Sequence, residues 1–395
     1  MVRTITVDHA DYAGRLFNRP DVEIRCCEGR HFLSTDATKY DVIQLSGVDT
    51  FSALSTGAYA MAENYLYTVE AIDSCLDHLS PNGILSYSRW ILQPPRESLR
   101  LAGMAAIALE KRGVREPARH LAIVHGDTWA ETLIKNEPFT KAELRTIQDW
   151  AEARGFRMAF NPLENLYSEY DAILRTDGDG RQRFVESYLY DVTPSTDDKP
   201  FFFNYVKWEH LWNREDVEAS SFPMALLTLT WSLGQCLVFA VVGIFLPLRA
   251  DHGVKGRSGS WRFLTYFAAL GLGFMFVEIT IIQKLMVFLG GPTIALAFTL
   301  FIILLFSGLG SLFARNWHDR PGRALPIVFV SLVTLIVATG LLLDHVIPLG
   351  LGLTWLARAG LSTLLVGPVA FLLGMPFPLG LRVLGGYRAE WVPWA

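Results

Sequence analysis

The rhythm of apolar and polar positions changes once along this chain. Up to about residue 222, short β-branched and apolar runs alternate with amphipathic stretches; beyond it, long apolar runs follow one another. In the first part, Tyr40–Leu45 reads as a buried strand carrying Val42, Ile43 and Leu45, and it ends in Ser46-Gly47. Asn64–Leu79 places Leu66, Val69, Ile72, Leu76 and Leu79 at helical spacing. Ser80-Pro81-Asn82-Gly83 is a turn signal, and Ile84–Tyr87 is the next strand. Thr4–Val7 and Val22–Cys27 read as earlier strands, with a short helix starting at His31–Ser34. Downstream, Glu97–Arg112 is an amphipathic helix, and His120–Val124 and Phe156–Phe160 are strands. Thr140, with Glu143 three residues on, predicts a capping box that opens a helix over Lys141–Arg154. Strands alternating with helices predict a parallel sheet with crossover helices. Asp177-Gly178-Asp179-Gly180 resembles part of a calcium loop, but the following ligand positions are missing, so a solvated turn is expected.

The second part predicts five membrane helices, because about 20 apolar residues cross a bilayer core. They are Pro223–Leu248, Phe263–Leu289, Thr293–Phe313, Leu325–Leu343 and Trp355–Leu381, the last interrupted by Gly367-Pro368, Pro376 and Pro378. Ser307, Gly308, Gly310 and Ser311 are small enough to let helices approach closely. Glu278 stands in mid-helix with no basic residue three or four positions away. An ionisable group there points to cation or proton handling, or to a bond with another helix. Lys284, nearer the helix end, is expected to snorkel to the headgroups. The chain thus divides into an α/β domain over 1–222 and a transmembrane domain over 223–395.

Charge sharpens that division. Residues 1–222 hold 24 Lys/Arg against 34 Asp/Glu, and residues 223–395 hold 11 against 5. The first part is acidic and has no basic patch interleaved with aromatics, which argues against a nucleic-acid partner. The cysteines Cys26, Cys27, Cys75 and Cys236 have no CxxC or Cys/His ligand spacing, so no metal site is expected. Met1–Tyr12 is polar and charged and does not read as a secretory signal. The loops Arg249–Arg262 and Arg315–Arg323 are basic, which favours the cytoplasmic side for both. With five alternating helices, that puts the α/β domain on the opposite side.

In an open α/β sheet, ligands sit just beyond the carboxyl ends of the strands, which points to Ser46–Asp49. The segments EGRHFL, YDVIQLSGVDT, NYLYTVEAI and HLSPNGILSYSRW follow one another here. DVTPSTDDKPFFFNYVKW, GLGFMFVEITIIQKLMVFLG and FSGLGSLF come after them. Together and in this order they resemble the spermidine synthase family, and more closely its membrane-fused bacterial form. That resemblance implies a partial Rossmann-like S-adenosylmethionine-dependent methyltransferase fold followed by an all-α transmembrane domain in the bacterial inner membrane. It further implies a transferase that joins an amine acceptor to an S-adenosylmethionine-derived donor, the donor being a substrate and no cofactor being covalently bound. The family's acid-Gly pair, which holds the donor's adenosine, falls on Glu28-Gly29. Its D-x-x-D active loop falls on Ser46 and Asp49, so the second acid is kept and the first is a serine.

A serine hydroxyl is a poor general base unless another base activates it. Before Tyr40 the only glycines are Gly14 and Gly29, so the Gly-rich loop of such nucleotide-binding folds is missing. Relative to the family the chain looks truncated at both ends. Two readings therefore stand side by side: a membrane-tethered transferase with Ser46 and Asp49 at its active loop, and a non-catalytic scaffold, polyamine sensor or transporter, the last centred on Glu278. Both expect the membrane and a small amine or nucleoside as partners.

Overall fold

Local signals start several elements where the sequence places them. Thr140 accepts the Glu143 amide, while the Glu143 carboxylate accepts the Thr140 amide at 2.7 Å, which completes the capping box. Thr68 accepts the Ala71 amide at 3.1 Å and caps a second helix. Asp177 accepts the Gly180 amide at 2.8 Å, so the expected solvated turn is the start of a helix.

The computed structural model describes residues 3–25, 27–47, 63–164, 168–207, 224–245, 260–317, 321–388 and 392. Two units pack separately: residues 1–35 with 239–395, and residues 36–238. The expected boundary near residue 222 lies outside the described residues.

The second unit holds a five-stranded sheet with helices. After α1 (Gly29–Thr35), which belongs to the first unit, come β1 (Tyr40–Ser46), α2 (Val69–Asp77), β2 (Leu79–Trp90) and α3 (Glu97–Lys111). β3 (Leu121–His125), β4 (Trp129–Lys135), α4 (Lys141–Glu152) and β5 (Arg157–Phe160) follow, then α5 (Ser168–Leu174) and α6 (Gly178–Ser187). The strand order is β1-β2-β4-β3-β5. Only β1 and β2 are parallel, joined through α2; the other neighbours are antiparallel. The expected all-parallel sheet is therefore mixed. The reason is a tight β3–β4 turn at Gly126, whose amide donates to the Trp129 carbonyl at 2.8 Å. A hairpin of this kind forces antiparallel pairing. Ser80–Gly83 is no separate turn: Tyr40 pairs with Leu79 and Val42 already with Ile84, so these residues bulge out of β2.

Strand alternation sends two different sets of side chains to the two faces. Leu85, Tyr87, Ile123 and Ile134 are fully buried on one face. On the other, Ala122, Val124 and Met158 pack against Leu144 and Ala151 of α4. Fully burying each such large apolar side chain contributes roughly 1.5–3 kcal/mol.

The core of this unit also buries charge. Arg89 and Glu97 form an ion pair in which each side chain is 2 % exposed, and Arg89 also donates to the Tyr67 hydroxyl at 2.9 Å. Arg100 donates to the carbonyls of Phe201 at 3.1 Å and Asn204 at 2.8 Å, and to those of Phe202 and Asp191. The irregular segment 188–207 is thus pinned by a guanidinium rather than by a strand ladder. At α2 the Thr68 hydroxyl donates to Asp197 at 2.8 Å, and the Asp197 amide donates to Glu70 at 3.0 Å.

The first unit begins with a turn of π-helix at Thr4–Asp8, not the expected strand, and residues 22–25 are likewise outside any strand. β propensity is a weak backbone preference that needs a neighbouring strand to satisfy it, and neither segment pairs with the sheet. The remaining helices are α7 (Met224–Ala240), α8 (Ser260–Leu289), α9 (Pro292–Phe313), α10 (Pro321–Gly350), α11 (Trp355–Leu373) and α12 (Pro376–Arg388). Among the described residues four helical spans are long and apolar enough to cross a membrane: Arg262–Leu289, Pro292–Trp317, Pro321–Gly350 and Trp355–Tyr387. The expected first span, Pro223–Leu248, contains a shorter apolar helix.

α9 and α11 cross with their backbones in contact. A Cβ on Gly310 would fall on the Phe371 carbonyl, and one on Gly374 would fall on the Ser307 carbonyl. Lys284 does not simply snorkel, because it pairs with Asp344 of α10. Glu278 is half-buried and has no hydrogen-bond or ion-pair partner among the described residues.

Candidate functional site

The carboxyl end of the parallel β1–β2 pair is built by strand register. Ser46 lies opposite Ser88, and Ser88 lies opposite Glu131 of β4. One residue row further in, Gln44 lies opposite Ser86 and Ser86 opposite Leu133. These residues share the sheet face that α4 covers only in part. The Ser86 and Ser88 hydroxyls both donate to the Glu131 carboxylate, one to each oxygen. A carboxylate offers about four acceptor positions, so two hydroxyls leave about half of them open. Among the described residues no Lys or Arg pairs with Glu131.

Aromatic side chains surround this carboxylate. Trp90, the last residue of β2, and Trp129, the first of β4, form a register pair and stack at 4.4 Å between ring centroids, with an interplanar angle of 27°. Trp129 lies against the backbone of Gly47, where a Cβ would meet the indole at 3.1 Å. Gly47 also has φ of +50°, a conformation that L side chains rarely adopt. Across the hollow, Trp150 of α4 stacks on Phe156 at 5.8 Å. Together they enclose a cavity of about 560 Å³, with Gln44, Ser86 and Glu131 supplying polar groups and Trp129, Trp150 and Phe156 its aromatic walls. Small-molecule sites commonly occupy roughly 300–1,000 Å³.

A larger hollow of about 1030 Å³ lies between the starts of α4 and α6. Several of its charges are already engaged: Arg175 with Asp171, Glu110 with Arg181, and Asp177 in capping α6. The smaller cavity is the better candidate because, among the described residues, its one carboxylate has no Lys or Arg ion-pair partner.

The sequence-predicted residues separate. Ser46 stands exposed at the end of β1, in register with Ser88. Asp49 lies outside the described residues. Glu28 accepts the His31 amide at 2.7 Å and so caps α1, while Gly29 is its first residue and is exposed. Glu28 and Gly29 belong to the unit formed with the apolar helices, and Ser46 to the unit that holds the sheet. Among the described residues no cluster of three metal-ligating side chains occurs.

Sequence reading missed Glu131, Trp129 and the whole of β4. A signal was present, since Trp129, Glu131 and Leu133 alternate with Ala130, Thr132 and Ile134. Both sets are partly apolar because the strand is covered on both faces, and this blurs the two-residue period.

The fold defines a mixed α/β unit joined in one chain to a set of helices long and apolar enough to span a membrane. Compared with models of known protein families and with curated proteins, the chain matches none.

Proposed function

We propose that this chain is a membrane-tethered, amine-binding protein whose ligand site is the sheet cavity at Glu131. The observation that carries this reading is the Glu131 carboxylate, half-buried beside an aromatic-walled cavity, held by two serine hydroxyls and forming no ion pair with a Lys or Arg among the described residues. A carboxylate removed from bulk water without a counter-charge is a ready partner for an ammonium ion. The parallel β1–α2–β2 unit and the place of Ser46 at its carboxyl end support a partial Rossmann-like ancestry. The resemblance to membrane-fused spermidine-synthase-like proteins supports an amine as ligand and the bacterial inner membrane as location. A transferase reading adds an S-adenosylmethionine-derived donor. Glu28 and Gly29 do not fit that part, because Glu28 caps α1 and neither belongs to the sheet unit, so the proposal assigns the donor no residues.

Calorimetry on the full chain in detergent, with small primary amines and with methylthioadenosine as separate titrants, tests the reading. Amine binding is expected, with loss of about tenfold or more in affinity in Glu131→Gln, the size of one charge-assisted contact. Amine affinity unchanged in that variant removes Glu131 from the site and the reading with it. Heat from methylthioadenosine would favour the transferase form.

A further inference from the structure

The cavity carries more information than the sign of its ligand. Among the described residues that line it, Glu131 is the sole carboxylate. A linear diamine or polyamine brings two or more ammonium groups, and each buried charge needs its own partner. Here a second ammonium would meet Val124, Leu133, Ile147, the aromatic rings or the polar groups of Gln44, His125 and Thr146, with no second acid among the described lining residues. No second carboxylate among the described residues would offset the cost of desolvating it.

A single cation on an apolar body fits the same surface. Glu131 keeps acceptor positions free beyond those taken by Ser86 and Ser88. Trp129 and Trp150 are 39 % and 49 % exposed; the Arg154 guanidinium lies 4.5 Å from the Trp150 ring centre, so Trp129 offers the cation-free indole surface and Trp150 an apolar edge. Tryptophan faces are the best aromatic partners for cations and stack well with other rings. The lining is mostly apolar apart from a few convergent polar groups, the usual make-up of a site for a compact amphipathic ligand.

We infer that the sheet cavity selects amphipathic monoamines, an aryl or compact apolar body bearing one ammonium group, over linear polyamines. The ammonium sits at Glu131 and the apolar body lies between Trp129 and the Trp150–Phe156 stack. This inference rests on the amine reading given above and narrows its ligand class.

The test compares 2-phenylethylamine, putrescine, spermidine and uncharged 2-phenylethanol on the full chain in detergent, by calorimetry and tryptophan fluorescence. We expect 2-phenylethylamine to bind about tenfold or more tighter than putrescine, and likewise tighter than 2-phenylethanol, the scale of one cation–π contact together with one ion pair. Glu131→Gln should erase the preference for the charged compound over the alcohol. Trp150→Ala, an exposed position that leaves the core intact, should weaken 2-phenylethylamine but not putrescine. Equal or tighter binding of putrescine, still dependent on Glu131, overturns this inference and leaves amine binding standing. Equal binding of alcohol and amine overturns it as well, by removing the carboxylate as the anchor. No heat or quenching from any amine, on protein shown to be folded, overturns both.

Discussion

Arg100 shows what one side chain does for an irregular segment. Its guanidinium is buried, and burial pulls its pKa below the ordinary value, with Asp191 acting in the opposite direction. It serves carbonyls of residues 191, 201, 202 and 204 that have no sheet ladder to join. Arg100→Met keeps much of the apolar stem and strands those carbonyls. The expected cost is about 3 kcal/mol or more. Limited proteolysis of the full chain should then cut within residues 188–207 at much lower protease concentration than in the parent. Glu131 is the opposite case: it is a charge held by hydroxyls alone, and so is available to a ligand.

At the scale of elements, the α9–α11 crossing depends on glycine as a spacer. No Cβ fits at Gly310 or Gly374, because each faces the carbonyl oxygen of the other helix. Gly308, two residues from Gly310, would place a Cβ in open space. Gly374→Val should therefore lower the thermal unfolding midpoint in detergent by several degrees, while Gly308→Val should leave it nearly unchanged. Equal effects would show that helix propensity, and not the crossing, is being measured. Ser307, Gly308, Gly310 and Ser311 look alike in sequence, and packing makes Ser307 and Gly310 the contact positions.

At the scale of the whole molecule, the N-terminal segment is tied to the apolar helices by His31. Arg358 of α11 donates to the Phe288 carbonyl at 2.8 Å and lies 3.1 and 3.2 Å from the two ring nitrogens of His31. Burial holds the His31 pKa below the ordinary 6.5, the Arg358 charge adds to this, and Glu28 opposes it. The docked imidazole therefore binds fewer protons than a released one. Its contribution to docking is complete above pH 6.5 and is lost as pH falls through the depressed value. Hydrogen exchange of α1 amides, corrected for intrinsic rates, should show protection falling below pH 6.5. His31→Gln should remove that pH dependence. If parent and variant respond alike, another group controls the docking.

Some of this architecture was legible without coordinates because its causes are local. Thr140 and Glu143 are three residues apart, so the α4 cap is written in one turn of chain. The apolar runs from Phe263 onward are long enough to cross a bilayer, and an α-helix satisfies their backbone within each segment, whatever surrounds it. The strand beside the candidate site was legible, but the site's own residues were not. Ser46 was placed correctly at a strand end, but its neighbour Ser88 lies 42 positions away and Glu131 another 43, joined only by sheet register.

Sequence by itself determined that a sheet with helices precedes a run of long apolar helices, the α4 cap, and the strand that ends at Ser46, since each follows from short-range periodicity and hydrogen bonding. Tertiary structure alone decided that Thr4–Val7 is helical, that the sheet is mixed, that Glu28 serves α1, and that Glu131 faces an aromatic cavity. Those outcomes depend on which distant strand or helix supplies the partner, and pairing at long range leaves no trace in local spacing.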